Sequence, residues 1–184
     1  VGNEPLWLAS ATPAGKPAMH LDATNRFFTA SLADLFSTSN FTLVAVVKEI
    51  AATYWFQRSD AGQTAATSHQ LRAQGGLTTY TSNTVNCTAG AQDTTNFRVL
   101  AWRIGAASFG GALTTKECLI NGVAASLTGS PVFPNTPGAG GALRMGVNGV
   151  SGGQIADLIW CEGRLLDTVT ISRVLGAKHG ITVA

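Results

Sequence analysis

The run Gly149-Val150-Ser151-Gly152-Gly153 fits G-x-S-x-G, the pattern of a sharp turn that presents a nucleophilic serine. An acid and a histidine follow in the order of a hydrolase triad: Asp157 or Asp167, then His179. The chemistry would be acyl transfer, with His179 as base and an aspartate orienting it. That turn needs a strand before the serine and a helix after it, whereas the residues that follow, "QIADLIW" (154–160), read as a strand. The chain holds 21 glycines, so a chance match is expected, and the run reads as an inter-strand turn.

Paired carboxylates would point to glycoside hydrolysis, in which a retaining enzyme holds two of them about 5 Å apart. On a strand that requires positions i and i+2. The nearest approach is Asp157 and Glu162, which fall on opposite faces of a regular strand. His20, His69 and His179 lie far apart, without metal-ligand spacing. The glycine-rich "GAGGAL" (138–143) lacks the strand–helix context of a phosphate cradle. Cys87, Cys118 and Cys161 make no zinc pattern, and an odd count argues against a closed disulfide framework. They read as reduced thiols packed as small apolar groups, which favours folding in a reducing cytoplasm. Two N-x-[ST] sequons, at Asn40 and Asn86, would matter only in a eukaryotic secretory protein. No catalytic residue and no metal ligand set emerges, and the chain is expected not to be an enzyme.

Binding is the other chemistry open to these residues. Glycan sites present aromatic rings with a few polar groups to fix orientation. The candidates are Tyr54, Trp55, Tyr80, Trp102, Phe109 and Trp160. Trp102 shares strand parity with Leu100 and Ile104, and Trp160 with Leu158, which places both in the core. Trp55, near a polar loop, and Tyr80, in the Thr-rich "LTTYTSN", are left as sugar platforms.

Composition narrows the setting. Charged residues make up 12% of the 184, about half the usual share. The twelve lysines and arginines are scattered and the net charge is +2, so no clustered nucleic-acid footprint appears. No stretch approaches the roughly 18 apolar residues that span a bilayer, and no signal-peptide pattern opens the chain. The length suits one domain.

The elements that would position these residues are mostly strands. Short apolar runs recur between turn clusters: "PLWLASA", "RFFTAS", "NFTLVAVVKEI", "TYWFQRS", "HQLRAQ", "LTTYTS", "FRVLAWRI", "ALRMGVN" and "QIADLIWCE". Asn121-Gly122 predicts a tight hairpin turn. "TGSPVFPNTPGAGG" (128–141) reads as one long loop. "LLDTVTISRVLGAKHGI" (165–181) predicts a helix capped by Asp167 and stopped at Gly180, with His179 meeting the helix dipole. A second short helix is expected at Ser31–Phe36. The fold class is all-β: a two-sheet antiparallel β-sandwich with a short C-terminal helix.

Six pieces in order resemble the laminin-G-like branch of the concanavalin A-like lectin/glucanase jelly roll. They are "LDATNRFFTA" (21–30), "FTLVAVVK" (41–48), "FRVLAWRI" (97–104), "LINGVAASLTG" (119–129), "GQIADLIWCEGRLLD" (153–167) and "VLGAKHGI" (174–181). The resemblance implies a concanavalin A-like sandwich over residues 20–184, preceded by an extended arm or first strand at 1–19. Many laminin-G-like domains hold calcium through loop carboxylates. Asp22, Asp60, Asp93 and Asp157 are dispersed without calcium-loop spacing, so no cofactor is expected, a structural calcium being the exception. The glucanase signature Glu-x-Asp-x-x-Glu is missing.

Domains of this fold recur on bacteriophage heads and tails. The expected role is therefore a non-enzymatic surface module: a virion structural or decoration protein, forming homo-oligomers with itself and contacting other virion proteins, with attachment to host or glycan surfaces as an added role. The alternative is a carbohydrate-binding, lectin-like module of a larger secreted protein. Neither role involves nucleic acid or membrane insertion.

Overall fold

The computed structural model describes residues 6–21, 28–31, 38–50, 53–59, 69–74, 76–82, 85–133, 142–145 and 152–184. Two antiparallel sheets face each other. The large sheet runs in the order β1 (Leu6–Leu8), β2 (Ala18–Leu21), β13 (Gly153–Glu162), β4 (Asn40–Lys48), β9 (Arg98–Ala106), β10 (Leu113–Ile120), β11 (Val123–Ala124). The small sheet runs β3 (Phe28–Ser31), β12 (Ala142–Met145), β5 (Thr53–Ser59), β6 (His69–Gln74), β7 (Leu77–Ser82), β8 (Val85–Ala91). Strands distant in sequence lie side by side, β13 beside β4 and β12 beside β5, as a jelly roll requires. With the helix α1 (Thr168–His179), this is the two-sheet antiparallel sandwich that the strand pattern implies, in the concanavalin A-like form that the resemblance implies.

β4 and β9 explain why "FTLVAVVK" and "RVLAWRI" are apolar without alternation. Their inward residues, Phe41, Leu43, Ala45, Val47, Leu100, Trp102 and Ile104, fill the core between the sheets. The intervening Val44, Val46, Val99 and Ala101 form a second core on the sheet's outer face. That second core is roofed by Leu175 and Ile171 of α1 and by Ile181 and Val183 of the tail. A strand covered on both faces has no polar side to show.

α1 begins and ends where the sequence signals it. The Asp167 carboxylate accepts the N–H groups of Val169 and Thr170, at 3.1 and 3.2 Å. Gly180, in the left-handed region at φ 71°, closes the C-terminal turn. Among the described residues no helix is long and apolar enough to cross a membrane.

Two elements were hidden from sequence patterning. β2 is four residues inside a Pro- and Gly-rich stretch, and β8 ("VNCTAGA") is dominated by residues of low strand propensity. Residues 6–19, from the expected arm or first strand at 1–19, supply β1 and the first two residues of β2 in the chain's own large sheet. Ser31 of the expected second helix is the last residue of β3, and 32–36 lie outside the described residues.

Residues 125–133, of which 128–133 come from the expected loop, strap one side of the sandwich. Thr128 and Thr88 exchange backbone hydrogen bonds at 2.9 and 3.1 Å, so the strap pairs with the edge of β8. Gly129 passes so close that a Cβ there would stand 2.0 Å from the Asn86 carbonyl oxygen. Covering an edge strand this way removes a template for unwanted pairing.

Candidate functional site

Sequence reasoning offered Trp55 and Tyr80 as sugar platforms. Tyr80 is a correction: it is 0% exposed, with ring centroids 6.2 Å from both Phe41 and Trp102. Its position opposite Leu71 and Cys87 turns it inward, and the Thr-rich context hid that parity. Trp55 is the extra residue of a β-bulge between Tyr54 and Phe56; its side chain lies outside the described residues. Trp102 is fully buried, as its parity implies. Trp160 is partly buried and stacks on Phe41 at 4.3 Å.

The aromatic residue that sequence reasoning missed is Trp7. It is 69% exposed, on the terminal strand of the large sheet. Trp7 stands opposite Met19, which is 8% exposed, so the two share a face, but β1 overhangs the edge where that face is uncovered. Parity assigns a face and cannot say where the opposing sheet stops.

The acid and base of the apparent triad do come together. β13 bulges between Ile155 and Asp157, which shifts the parity so that Asp157 stands opposite Val46 on the face that carries α1. There its Oδ2 accepts from Lys178 Nζ at 2.7 Å and from His179 Nε2 at 2.5 Å. His179 is 2% exposed, and its Nδ1 finds no partner. Burial works to raise the Asp157 pKa, but the hydrogen bonds and charges of Lys178 and His179 outweigh it and hold the carboxyl below the usual range. Ser151 lies outside the described residues. What the geometry shows is a clamp that fastens the last turn of α1 to β13, where cations also suit the helix dipole. Glu162 is on the other face by register, and it accepts the Thr38 N–H at 2.9 Å. Asp157 and Glu162 therefore cannot act on one glycosidic bond.

A second polar cluster joins the sheets. Glu49 is 0% exposed; it accepts from Thr78 Oγ1 at 2.8 Å and from the Asp93 N–H at 3.1 Å, and it pairs with Arg98. Arg98 also donates to Thr78 and, at 2.9 Å, to the Ala91 carbonyl. Burial pushes the Arg98 pKa down to about 10, which leaves it charged at neutral pH. The groups pair with one another within the protein, with Arg98 Nε alone among the cluster's buried side-chain atoms left without a partner, which marks a structural tie.

Of the dispersed aspartates, Asp22 and Asp60 lie outside the described residues. Asp93 closes its own turn by accepting from Thr95 and Asn96 at 2.9 and 2.8 Å. Among the described residues no three His, Cys, Asp or Glu side chains gather as a metal group. Cys87 and Cys118 are free thiols in the core, and burial pushes both pKa values up; Cys161 is free and partly buried.

No protein-family profile matches the chain, and no curated protein sequence matches it. Solved structures do share its fold. The cellulose induced protein Cip1 superposes with a TM-score of 0.56 at 14% identity, over 88% of this chain and 86% of that one. Domains LG4-5 of the mouse laminin alpha1 chain give 0.56 at 11% identity, over 91% of this chain and 46% of theirs. A structure of botulinum neurotoxin type C, which interacts with two ganglioside molecules in entering cells, gives 0.60 at 8% identity, over 95% of this chain and 45% of its own. The chain thus spans less than half the length of the latter two. At these identities the likeness is one of fold.

Proposed function

We propose that this chain is a surface-borne carbohydrate-binding module without catalysis of its own. Trp7 carries the reading: an indole 69% exposed on the strand that ends the large sheet among the described residues, in a domain whose other described tryptophans are packed away. An exposed ring can stack on the apolar face of a sugar, and hydroxyls are then fixed by nearby polar groups. Among the described residues β1 has a paired strand on one side only, and the backbone N–H and C=O groups of its other side can supply such groups. Supporting this, the folds it shares include a ganglioside-interacting toxin, and the one carboxylate pair suggested for hydrolysis is split across a sheet.

The setting we propose is a bacteriophage virion surface, where copies of the chain would associate with one another and with other virion proteins. Low charge, free thiols and a Gly- and Thr-rich chain support it. A module of a larger secreted protein is the second setting.

The test is saturable binding of the folded protein to a panel of cell-envelope polysaccharides, with Trp7→Ala as the partner variant. Binding that falls at least about tenfold in the variant is expected. A blank panel from folded protein would overturn the reading. Co-purification with particles in fixed stoichiometry separates the first setting from the second.

A further inference from the structure

We infer that Asn121 is a site of spontaneous deamidation, and that residues 181–184, docked on the hairpin turn, gate it. The Asn121-Gly122 step is chemically labile, because glycine has no Cβ to obstruct its own nitrogen. That nitrogen forms a bond to Asn121 Cγ and yields its proton to solvent base. The side-chain NH₂ takes up a proton and leaves as ammonia. Water then opens the cyclic imide at one of its two carbonyls. The product is aspartate or, where the main chain is routed through Cβ, isoaspartate. The reaction consumes only water, and both Asn121 and Gly122 are partly exposed.

The turn is ready for this reaction in one torsion and blocked in the other. Ile120 stands opposite Val123, so the turn has two central residues, and both have positive φ: 50° at Asn121 and 80° at Gly122. That is a type I′ turn. Closing the imide ring eclipses the Gly122 nitrogen with Asn121 Cβ about the Cα–C bond. For an L residue this needs ψ of about −120°, the type II′ value, whereas type I′ holds it at about +30°. Asn121 therefore already has the φ of the reactive turn. What remains is a flip of the peptide plane between Asn121 and Gly122.

The docked segment opposes that flip. The carbonyl that must turn over, that of Asn121, accepts the Ala184 N–H at 3.0 Å. The segment also lies tight against Gly122, where a Cβ would stand 2.7 Å from both the Ala184 carbonyl oxygen and Val183 Cγ1. Three contacts with α1 pin it there. Arg173 Nε donates to the Ala184 carbonyl at 3.1 Å, the Ile181 N–H donates to the Gly176 carbonyl at 2.9 Å, and Val183 sits against Gly176. On the strand side, Asn121 Oδ1 accepts the Val99 N–H at 2.8 Å, which ties Cγ to β9. Undocking residues 181–184 frees the flip, and such a local opening costs far less than unfolding the sandwich.

The chain carries its own chemical reference. Asn148-Gly149 lies outside the described residues but has nearly the same flanks, Val147 and Val150 against Ile120 and Val123. The experiment incubates the full chain at mildly alkaline pH, folded and in urea, and reads the replacement of NH by O at each asparagine by peptide mass spectrometry. In urea the two sites are expected to react at matching rates. In the folded protein Asn121 is expected to react at least about tenfold more slowly than in urea. Two variants loosen the segment by different routes: Gly176→Ala crowds Val183, and Arg173→Ala/Val183→Ala removes two of the pins. Each is expected to raise the folded rate at Asn121 about fivefold, the worth of one hydrogen bond, with the Asn148 rate unchanged. Unfolding midpoints establish that each variant stays folded during incubation. Equal folded and denatured rates at Asn121 would overturn the gate. So would variants that leave the Asn121 rate unchanged or speed both sites alike. An Asn121 that keeps its amide in urea while Asn148 loses its own would overturn the site itself.

Discussion

Asn121 completes the hydrogen bonding of Val99: its side-chain oxygen accepts the Val99 N–H at 2.8 Å, and its own N–H donates to the Val99 carbonyl at 2.9 Å. The turn residue thus extends the β9–β10 ladder one step past the hairpin. It does so in the left-handed region, at φ 50°, and its carbonyl also accepts the Ala184 N–H at 3.0 Å. Glycine would suit the backbone here, but it cannot supply the side-chain acceptor. Asn121→Gly is expected to cost about 1 kcal/mol. Asn121→Ala is expected to cost about 1–2 kcal/mol more, because a Cβ without a local hydrogen bond is disfavoured in that region. Urea unfolding measures both. An Asn121→Gly protein as stable as wild type would show that the Val99 bond contributes nothing.

Gly176 lies inside α1, where glycine ordinarily costs about 1 kcal/mol relative to alanine. Here the sign should reverse. A Cβ on Gly176 would stand 2.4 Å from Val183 Cγ2 and 2.8 Å from the Ile181 carbonyl oxygen, so the tail folds back only because the helix leaves a gap. Gly176→Ala is expected to destabilise by about 1–3 kcal/mol. Adding Val183→Ala should recover part of that loss, since the two residues share one contact. Additive effects in the double variant would refute the slot.

Glu49 and Arg98 tie the end of β4 to the start of β9 and, through Thr78, to the small sheet. Arg98→Met alone leaves a buried carboxylate and is expected to cost about 3–5 kcal/mol. Replacing both, with Glu49→Met added, removes the uncompensated charge and should cost clearly less than Arg98→Met alone. Equal losses in the single and double variants, read from chemical denaturation, would place the cost in packing instead.

Much of this architecture was legible because helix caps and strand parity are local. Asp167, Gly180 and the inward set Leu100, Trp102 and Ile104 follow from neighbours a few residues away. The candidate sites were less legible, because exposure depends on what lies opposite. Tyr80 and Trp7 both sit in short strands with mixed neighbours; one faces the partner sheet and the other overhangs its edge. The Asp157 clamp was hidden because its partners, Lys178 and His179, lie 21 and 22 residues away on another element.

Acid should loosen α1 from both ends. Asp167 is held below the usual carboxylate range chiefly by the Thr170 hydroxyl, at 2.6 Å, with help from backbone N–H groups. Asp157 is opposed by burial but held low by Lys178 and His179. A carboxylate whose folded pKa lies below its unfolded value of about 3.9 stabilises the fold fully above that value. The stabilisation is then lost as the pH falls through the folded pKa. Unfolding free energy and helical circular dichroism should therefore hold steady above about pH 5 and decline below about pH 4. Asp157→Asn removes one titrating partner and should start less stable at pH 7 yet lose less on acidification. Asp167→Asn keeps a good N-cap without the titration, so it should flatten the acid limb with little loss at neutral pH. An acid limb as steep in the Asp157→Asn/Asp167→Asn protein as in wild type would place the acid sensitivity elsewhere in the chain.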